Sequence, residues 1–416
     1  MPAILIQKLR DETSLESGKR SSHRPALITL GTLYFMMGFI TCLNDSLVPF
    51  FKEGFVLTYT ESALIQFYFF LAYGVVSMPA GRIVECIGYP NGMILGFLVA
   101  ALGAILFLPA ALFHRYTIFL LALFILAIGI VILQVAANPY ITILGRPQTA
   151  SSRLSLIQAI GSAGTTAAPV FGAYFILSGI ENKSAGRALM FPYAGIALTM
   201  LGIAGIIYFL KLPDIKNSGR KEEGTTAVKD LFAFRNLNFG FIAIFLYVGA
   251  EVSIGSFLTN YISDTLRVPL NAASGLVAFY WGGMLAGRFI GAALLKYIRP
   301  SKALRYTAAM AALMVIASLS TSGHTSIWLM ISVGLCNSIM FAVIFSMAVS
   351  GLGRHTTMAS GMLSTAIVGG AVISLLTGFL KDHYSWSIAF LIPVLCYLYI
   401  LFYGINGFKS GFSKIS

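Results

Sequence analysis

Twelve stretches of about twenty or more mostly apolar residues follow one another along the chain. They lie roughly at 26 to 51, 62 to 84, 92 to 113, 117 to 145, 153 to 178, 191 to 211, 238 to 263, 272 to 295, 303 to 322, 326 to 350, 358 to 380 and 386 to 408. About 20 such residues, wound as an α-helix, cross the hydrocarbon core of a bilayer. No water reaches the backbone there, so only helices or closed barrels can satisfy its polar groups. A barrel would need segments of about ten residues with alternating polarity, and these runs are continuous. With 57% hydrophobic and 10% charged residues, and a mean hydropathy of +0.84, too little polar surface remains to coat a water-soluble globule. The expected fold class is an all-α membrane protein of twelve transmembrane helices.

A net charge of +13 would suit nucleic acid, but the distribution of the 28 Lys and Arg residues explains it without such a partner. With the N-terminus placed inside, the two tails and the even connectors hold 22 of them. The odd connectors hold only six: Lys52, Arg115, Lys183, Arg187, Arg267 and Lys381. That bias is the positive-inside rule, and it puts both termini in the cytoplasm. The first 25 residues are polar and basic with no apolar core before a small-residue cleavage site, and are expected to be a cytoplasmic tail rather than a signal peptide. The expected organisation is a tail at 1–25, a six-helix half at 26–211, a cytoplasmic linker at 212–237, a second half at 238–408 and a tail at 409–416. The linker is too short to bury a core of its own.

Internal duplication supports the two halves. Gly81-Arg82 ends the second stretch and Gly287-Arg288 ends the eighth, 206 residues apart (81 and 287). Leu144-Gly145-Arg146 follows the fourth stretch and Leu352-Gly353-Arg354 the tenth, 208 apart (145 and 353). Two acids deep in apolar runs, Asp45 and Glu251, are also 206 apart. Two parallel six-helix repeats about a pseudo-two-fold axis along the membrane normal resemble the plan of the major facilitator transporters, with a site at the repeat interface and alternating access by rocking.

Polar residues inside the spans are the candidates for that site. A carboxylate at bilayer depth costs about 2.5 to 3.5 kcal/mol on insertion scales and persists mainly where it faces a cavity and has a task. Asp45 and Glu251 are therefore the candidate proton-coupling residues. Tyr34, Gly38, Thr41 and Asp45 share one helical face, as do Gln134, Asn138 and Thr142; Gln158, Ser162 and Thr165 or Thr166; and Tyr247, Glu251, Gly255 and Thr259. Asn337 lies mid-span in the tenth stretch. Amides and carboxylates beside aromatic rings suit a polyhydroxylated ring, whose hydroxyls donate and accept while its C–H face stacks. The aromatic candidates are Trp281, with Tyr34, Phe70, Tyr73, Tyr280 and Phe341. Each type also has a structural use: buried amides bridge helices, aromatics pack, and Arg82 and Arg288, candidate gate residues at span ends, equally serve as positive-inside anchors.

The motifs Phe39-Ile40-Thr41-Cys42-Leu43-Asn44-Asp45, Leu64-Ile65-Gln66-Phe67, Leu133-Gln134-Val135-Ala136-Ala137-Asn138-Pro139-Tyr140, Ala150-Ser151-Ser152-Arg153-Leu154 and Tyr247-Val248-Gly249-Ala250-Glu251-Val252-Ser253-Ile254-Gly255-Ser256-Phe257 resemble the fucose-galactose-glucose:proton symporter family, and within it the bacterial glucose/galactose branch. The resemblance runs over nearly all twelve spans. It implies proton-coupled uptake of a hexose through the inner membrane. Asp45 stands at the coupling aspartate, and Asn44, Gln66, Gln134, Asn138, Gln158, Trp281 and Asn337 are the expected sugar contacts. In the fucose permease a glutamate that shares in coupling stands at Gln134 and a glutamine at Glu251. Further departures are Gly161, usually Asn in the family, and Ala342-Val343, usually Pro-Thr.

Sodium in place of the proton, an uncoupled sugar carrier, or an exporter of another small molecule on the same fold are the alternatives. The Gln and Asn stripes argue against an apolar drug cavity. Enzyme chemistry has no support, since no nucleophile stands with a base. The cysteines Cys42, Cys86, Cys336 and Cys396 offer neither metal-ligand spacing nor a disulfide framework. The expected partners are a monosaccharide, a proton and the lipid bilayer, for a monomer needing no cofactor, metal or nucleic acid.

Overall fold

A computed structural model describes residues 24–55, 59–113, 115–144, 146–171, 185–210, 228–268 and 270–409. These residues form a helical bundle with no strand among them. Its long helices are α1 (Arg24–Phe55), α2 (Tyr59–Ile87), α3 (Tyr89–Phe113), α4 (Tyr116–Ile143), α5 (Ala150–Phe171) and α6 (Ala185–Leu210), then α7 (Arg235–Leu266), α8 (Leu270–Leu294) and α9 (Pro300–Ser320). They end with α10 (Gly323–Ala348), α11 (Gly353–His383) and α12 (Trp386–Gly407). Ten of these are long and apolar enough to cross a membrane, and α1 contributes the apolar segment Leu27–Cys42. The remaining helix, α5, is rich in polar residues, carrying Ser151, Ser152, Arg153, Ser155, Gln158 and Ser162. Such a helix needs protein or a cavity on several sides. Most of the expected linker, residues 211–227, lies outside the described residues.

The packing repeats. In the first half α1 packs on α5, α2 on α4, and α3 on α4 and α6; in the second α7 packs on α11, α8 on α10, and α9 on α10 and α12. Contacts across the halves follow the same exchange: α2 with α11 is matched by α8 with α5, and α4 with α11 by α10 with α5. A duplicated chain folded about a pseudo-two-fold axis produces this pattern. The surface turned outward is apolar, with Leu98, Leu102, Leu198 and Leu375 exposed.

Within lipid, helices associate through close van der Waals packing, so small residues mark their contacts. A Cβ on Gly103 of α3 would fall 2.4 Å from the backbone nitrogen of Leu126 on α4, and one on Gly129 equally close to that of Ala100. Gly38 and Gly164 do the same for α1 and α5, and Gly369 for α11 and α7. Gly103→Val is expected to cost about 2 kcal/mol by overpacking, read as a lower apparent melting temperature in detergent. An unchanged melting curve would contradict this packing.

Two helices are interrupted at mid-depth. In α10 the segments Gly323–Asn337 and Met340–Ala348 are separated at Ser338-Ile339. In α11 a 3-10 turn at Ala366–Val368 separates Thr356–Thr365 from Gly369–His383. Freed backbone groups in a membrane must find protein partners. The α10 carbonyls of Asn337 and Ser338 receive the Tyr247 hydroxyl at 3.1 Å and Arg288 Nε at 3.4 Å.

The halves touch from one end of the bundle to mid-depth. That end carries Arg82, Arg146, Arg235, Arg299, Lys302 and Arg354 and is called the basic end. Thr357 Oγ1 donates to Tyr89 Oη at 2.8 Å, Ser151 and Ser346 share a hydrogen bond of 2.5 Å, and Ser152 Oγ donates to the Ala292 carbonyl at 2.5 Å. Gly81 lies against Met358 and Gly361, and Phe70 against Gly370. Toward the opposite end, Phe67 and Trp281 are 49% and 45% exposed.

Candidate functional site

Two polar groups face each other at mid-depth, one from each half. In the first half the stripe on α4 meets phenols from its neighbours. The Tyr34 hydroxyl of α1 donates to Asn138 Oδ1, and Gln134 Nε2 donates to the Tyr73 hydroxyl of α2 at 2.9 Å. Asn138 is 1% exposed, so its amide is fixed by packing as well as by the bond. Thr142, the third member of the stripe, turns back to donate to the Pro139 carbonyl at 2.7 Å.

Toward the middle of α5 three hydroxyls donate within the helix itself. Ser162, Thr165 and Thr166 donate to carbonyls four residues earlier at 3.2, 3.3 and 3.0 Å. Gln158 differs: its Oε1 is buried with no hydrogen-bond partner among the described residues. A buried carbonyl oxygen without a partner costs about 1 to 3 kcal/mol, so this one stands ready for a donor. The family position Gly161 is buried where α5 meets α1, and a Cβ there would come within 3.1 Å of the Tyr34 carbonyl. Glycine sets that close approach, which an Asn would force wider.

In the second half Glu251 lies midway along α7. Its neighbour one turn earlier, Tyr247, bonds the break in α10. Asn337 Nδ2 donates to the Tyr280 hydroxyl at 3.0 Å, while Asn337 Oδ1 and the Tyr397 hydroxyl are both buried. Trp281 meets Tyr280 edge to face with centroids 5.2 Å apart. The indole occupies the space that Gly255 leaves, since a Cβ there would reach Trp281 at 2.9 Å. Gly255 stands one turn beyond Glu251, so the missing side chain admits an aromatic wall beside the carboxylate. Ala342 and Val343 are fully buried in α10 and line no opening in this state.

Arg288 joins the two groups. From the sequence it stands at a span end beside Gly287, yet its guanidinium points toward the middle of the bundle. Nη1 donates to Ser162 Oγ, and Nη2 lies 4.0 Å from Glu251 Oε1, with the two side chains 20% and 16% exposed. Arg82 is exposed at the basic end of α2. The helices α1 and α2 carry Asn44, Asp45 and Gln66, but these three side chains lie outside the described residues.

Sequence reasoning missed three contributors. Tyr397, on α12, had no polar neighbour at helical spacing to draw attention to it. Arg153 donates to the carbonyls of Ile141, Arg146 and Thr142 and to Thr149 Oγ1, at 3.2, 2.8, 2.9 and 2.5 Å. It thereby caps the C-terminus of α4, where a cation is favoured. Asn236 does the same for α10, donating to the carbonyls of Met347, Ala348 and Ser350 at 3.3, 2.9 and 3.1 Å.

Twelve helices in two exchanged sixes with a polar centre define a secondary transporter of the major facilitator type, and residues 30–374 match the Major Facilitator Superfamily. The chain is 48% identical over 404 residues to the glucose/galactose transporter of Brucella abortus, covering 95% of this chain and 97% of that one. It is 31% identical to the L-fucose-proton symporter of Escherichia coli, covering 93% and 94%. A crystal structure of the Escherichia coli fucose:proton symporter superimposes with a TM-score of 0.84 at 29% identity, covering 93% of this chain and 99% of that one. A structure of that transporter in the outward conformation gives 0.84 over 92% and 98%. The chain belongs to the Major Facilitator Superfamily and, within it, to the fucose-galactose-glucose:proton symporter family.

Proposed function

We propose that the chain imports a hexose of the glucose and galactose type by proton symport across the inner membrane, with both termini in the cytoplasm. The observation that carries the reading is the set of amides and phenols at mid-depth, one group in each half: Tyr34 with Asn138, Tyr73 with Gln134, Tyr280 with Asn337, and the unpaired Gln158 carbonyl. A sugar hydroxyl both donates and accepts, so it suits the half-buried amides Gln134 and Gln158. The names of the relatives point to the same substrates. Asn44, Gln66 and Trp281 complete the proposed contacts, the indole offering a face to the sugar's C–H groups.

The basic end then faces the cytoplasm, and closure there makes this the outward-facing state. Asp45 takes the proton in that state. Its neutral form lowers the cost of closing an apolar gate around it, and bound sugar adds the energy of occlusion. Rocking the halves opens the basic end, water returns and both cargoes leave. Glu251, the second acid, is held within the second half beside Arg288, and Arg82 anchors the inner end of α2. The protein works as a monomer in the bilayer.

Exchange of labelled sugar in proteoliposomes tests the substrate class without any coupling. Glucose, galactose or fucose is expected to exchange at a rate well above a linear polyol or an organic cation. Exchange of the cation alone would turn the reading to an exporter.

A further inference from the structure

Among the described residues Arg288 pairs with Glu251 of its own half and also reaches across to the other half at mid-depth. Its guanidinium meets Ser162 of α5 through Nη1, the Ser338 carbonyl of α10 through Nε at 3.4 Å, and Glu251 of α7 at 4.0 Å. Its own carbonyl accepts from Ser155 of α5 at 3.1 Å. A guanidinium holds five donors in one rigid plane, so it can serve three acceptors at once where an ammonium serves as a point charge. Such a charge at this depth needs a partner of opposite sign, and Glu251 supplies it.

We infer that Arg288 is the latch of the state closed at the basic end, with Glu251 as its counter-ion rather than a second proton carrier. The inference rests on the transport reading only in requiring two alternating states. When α8 leaves α5 on rocking, the bonds to Ser162 and from Ser155 break, whereas Glu251 and Ser338 belong to Arg288's own half and travel with it. A contact made in one state alone shifts the balance between states, and a contact kept in both does not. The pair with Glu251 keeps the guanidinium matched while the latch is open. Arg288 is thus a positioning residue, acting on the equilibrium of the halves and not on the sugar.

The test uses the full chain in lipid nanodiscs, with spin labels on Cys86 of α2 and on Ser350→Cys after α10, and with Cys42, Cys336 and Cys396 replaced by alanine. Both labelled positions are exposed at the basic end, one on each half. The unaltered pair is expected to show mainly the short distance. Ser162→Ala removes the acceptor, and Arg288→Lys keeps the charge but loses the fork. Each is expected to raise the long-distance fraction roughly three- to tenfold, and Ser162→Thr, which restores a hydroxyl, to return it to the starting value. Unchanged distances in both Ser162→Ala and Arg288→Lys would overturn the latch, as would Ser162→Thr shifting them as far as Ser162→Ala, or a long distance already dominant without either change. Sugar exchange by the unaltered protein is measured in parallel. Its absence would remove the hexose reading while leaving the distances to decide the latch.

Discussion

Asp45→Asn is expected to abolish accumulation of sugar against a gradient while leaving sugar exchange intact in proteoliposomes. Asparagine matches aspartate in size and, with one acceptor oxygen and one donor group, imitates the protonated acid, but it cannot take up and release a proton. One charge crossing about 100 mV supplies ~2.3 kcal/mol, enough to concentrate sugar roughly fiftyfold. Without a titrating group that ratio falls to one, whereas exchange needs no net movement of protons. The proposed role rests on the sequence, which puts Asp45 in the apolar run of α1 at helical spacing from Tyr34, Gly38 and Thr41, and on the family resemblance of that motif. Gln134 cannot titrate, which leaves fewer acids to carry the proton. Uphill uptake by the variant would remove Asp45 from that role.

The second large effect concerns stability. Arg288→Ala leaves Glu251 buried without its counter-charge, and removing one partner of a buried pair costs about 3 to 5 kcal/mol. Both side chains keep some exposure, 20% for Arg288 and 16% for Glu251, and the atoms are 4.0 Å apart, so the lower end, about 3 kcal/mol, is expected. The double change Arg288→Gln with Glu251→Gln removes both charges and keeps polar atoms in place. It is expected to lie within about 1 kcal/mol of the unaltered protein, because neutral replacements of a buried pair are often tolerated. Apparent melting temperatures in detergent read the comparison. If the single change melts no lower than the double one, the two groups do not compensate each other.

Much of this was legible in the sequence because the bilayer imposes so few solutions. Apolar runs gave most helix bounds to within a few residues, the sixth and eleventh helices starting five or six residues earlier than expected and the expected end of the fifth at 178 lying outside the described residues; the offsets linking 81 with 287 and 145 with 353 gave the duplication that the exchanged packing of α2, α5, α8 and α11 now displays. Gln134 and Asn138 were legible as a stripe, although helical spacing could not say that tyrosines from α1 and α2 would meet them. Arg288 was legible as a gate candidate, but the direction of its side chain was not: a long flexible side chain can turn outward to the headgroups or inward to the core. What decides is Gly287, which lets α8 approach Ser338, together with the α10 break that offers a carbonyl. That break has no proline or glycine to announce it. Its cause is tertiary, the phenol of Tyr247 and the fork of Arg288 taking carbonyls that a continuous helix would have used. Tyr397 and the capping of α4 by Arg153 likewise depend on which helices become neighbours.

An inward proton gradient is proposed to drive hexose uptake. Purified protein in proteoliposomes, with an acidic exterior, labelled glucose or galactose outside and no sodium, tests it most directly. Accumulation well above the external concentration, collapsing when a proton ionophore is added, is the predicted result. Accumulation that requires sodium, or that the ionophore leaves unchanged, would contradict it.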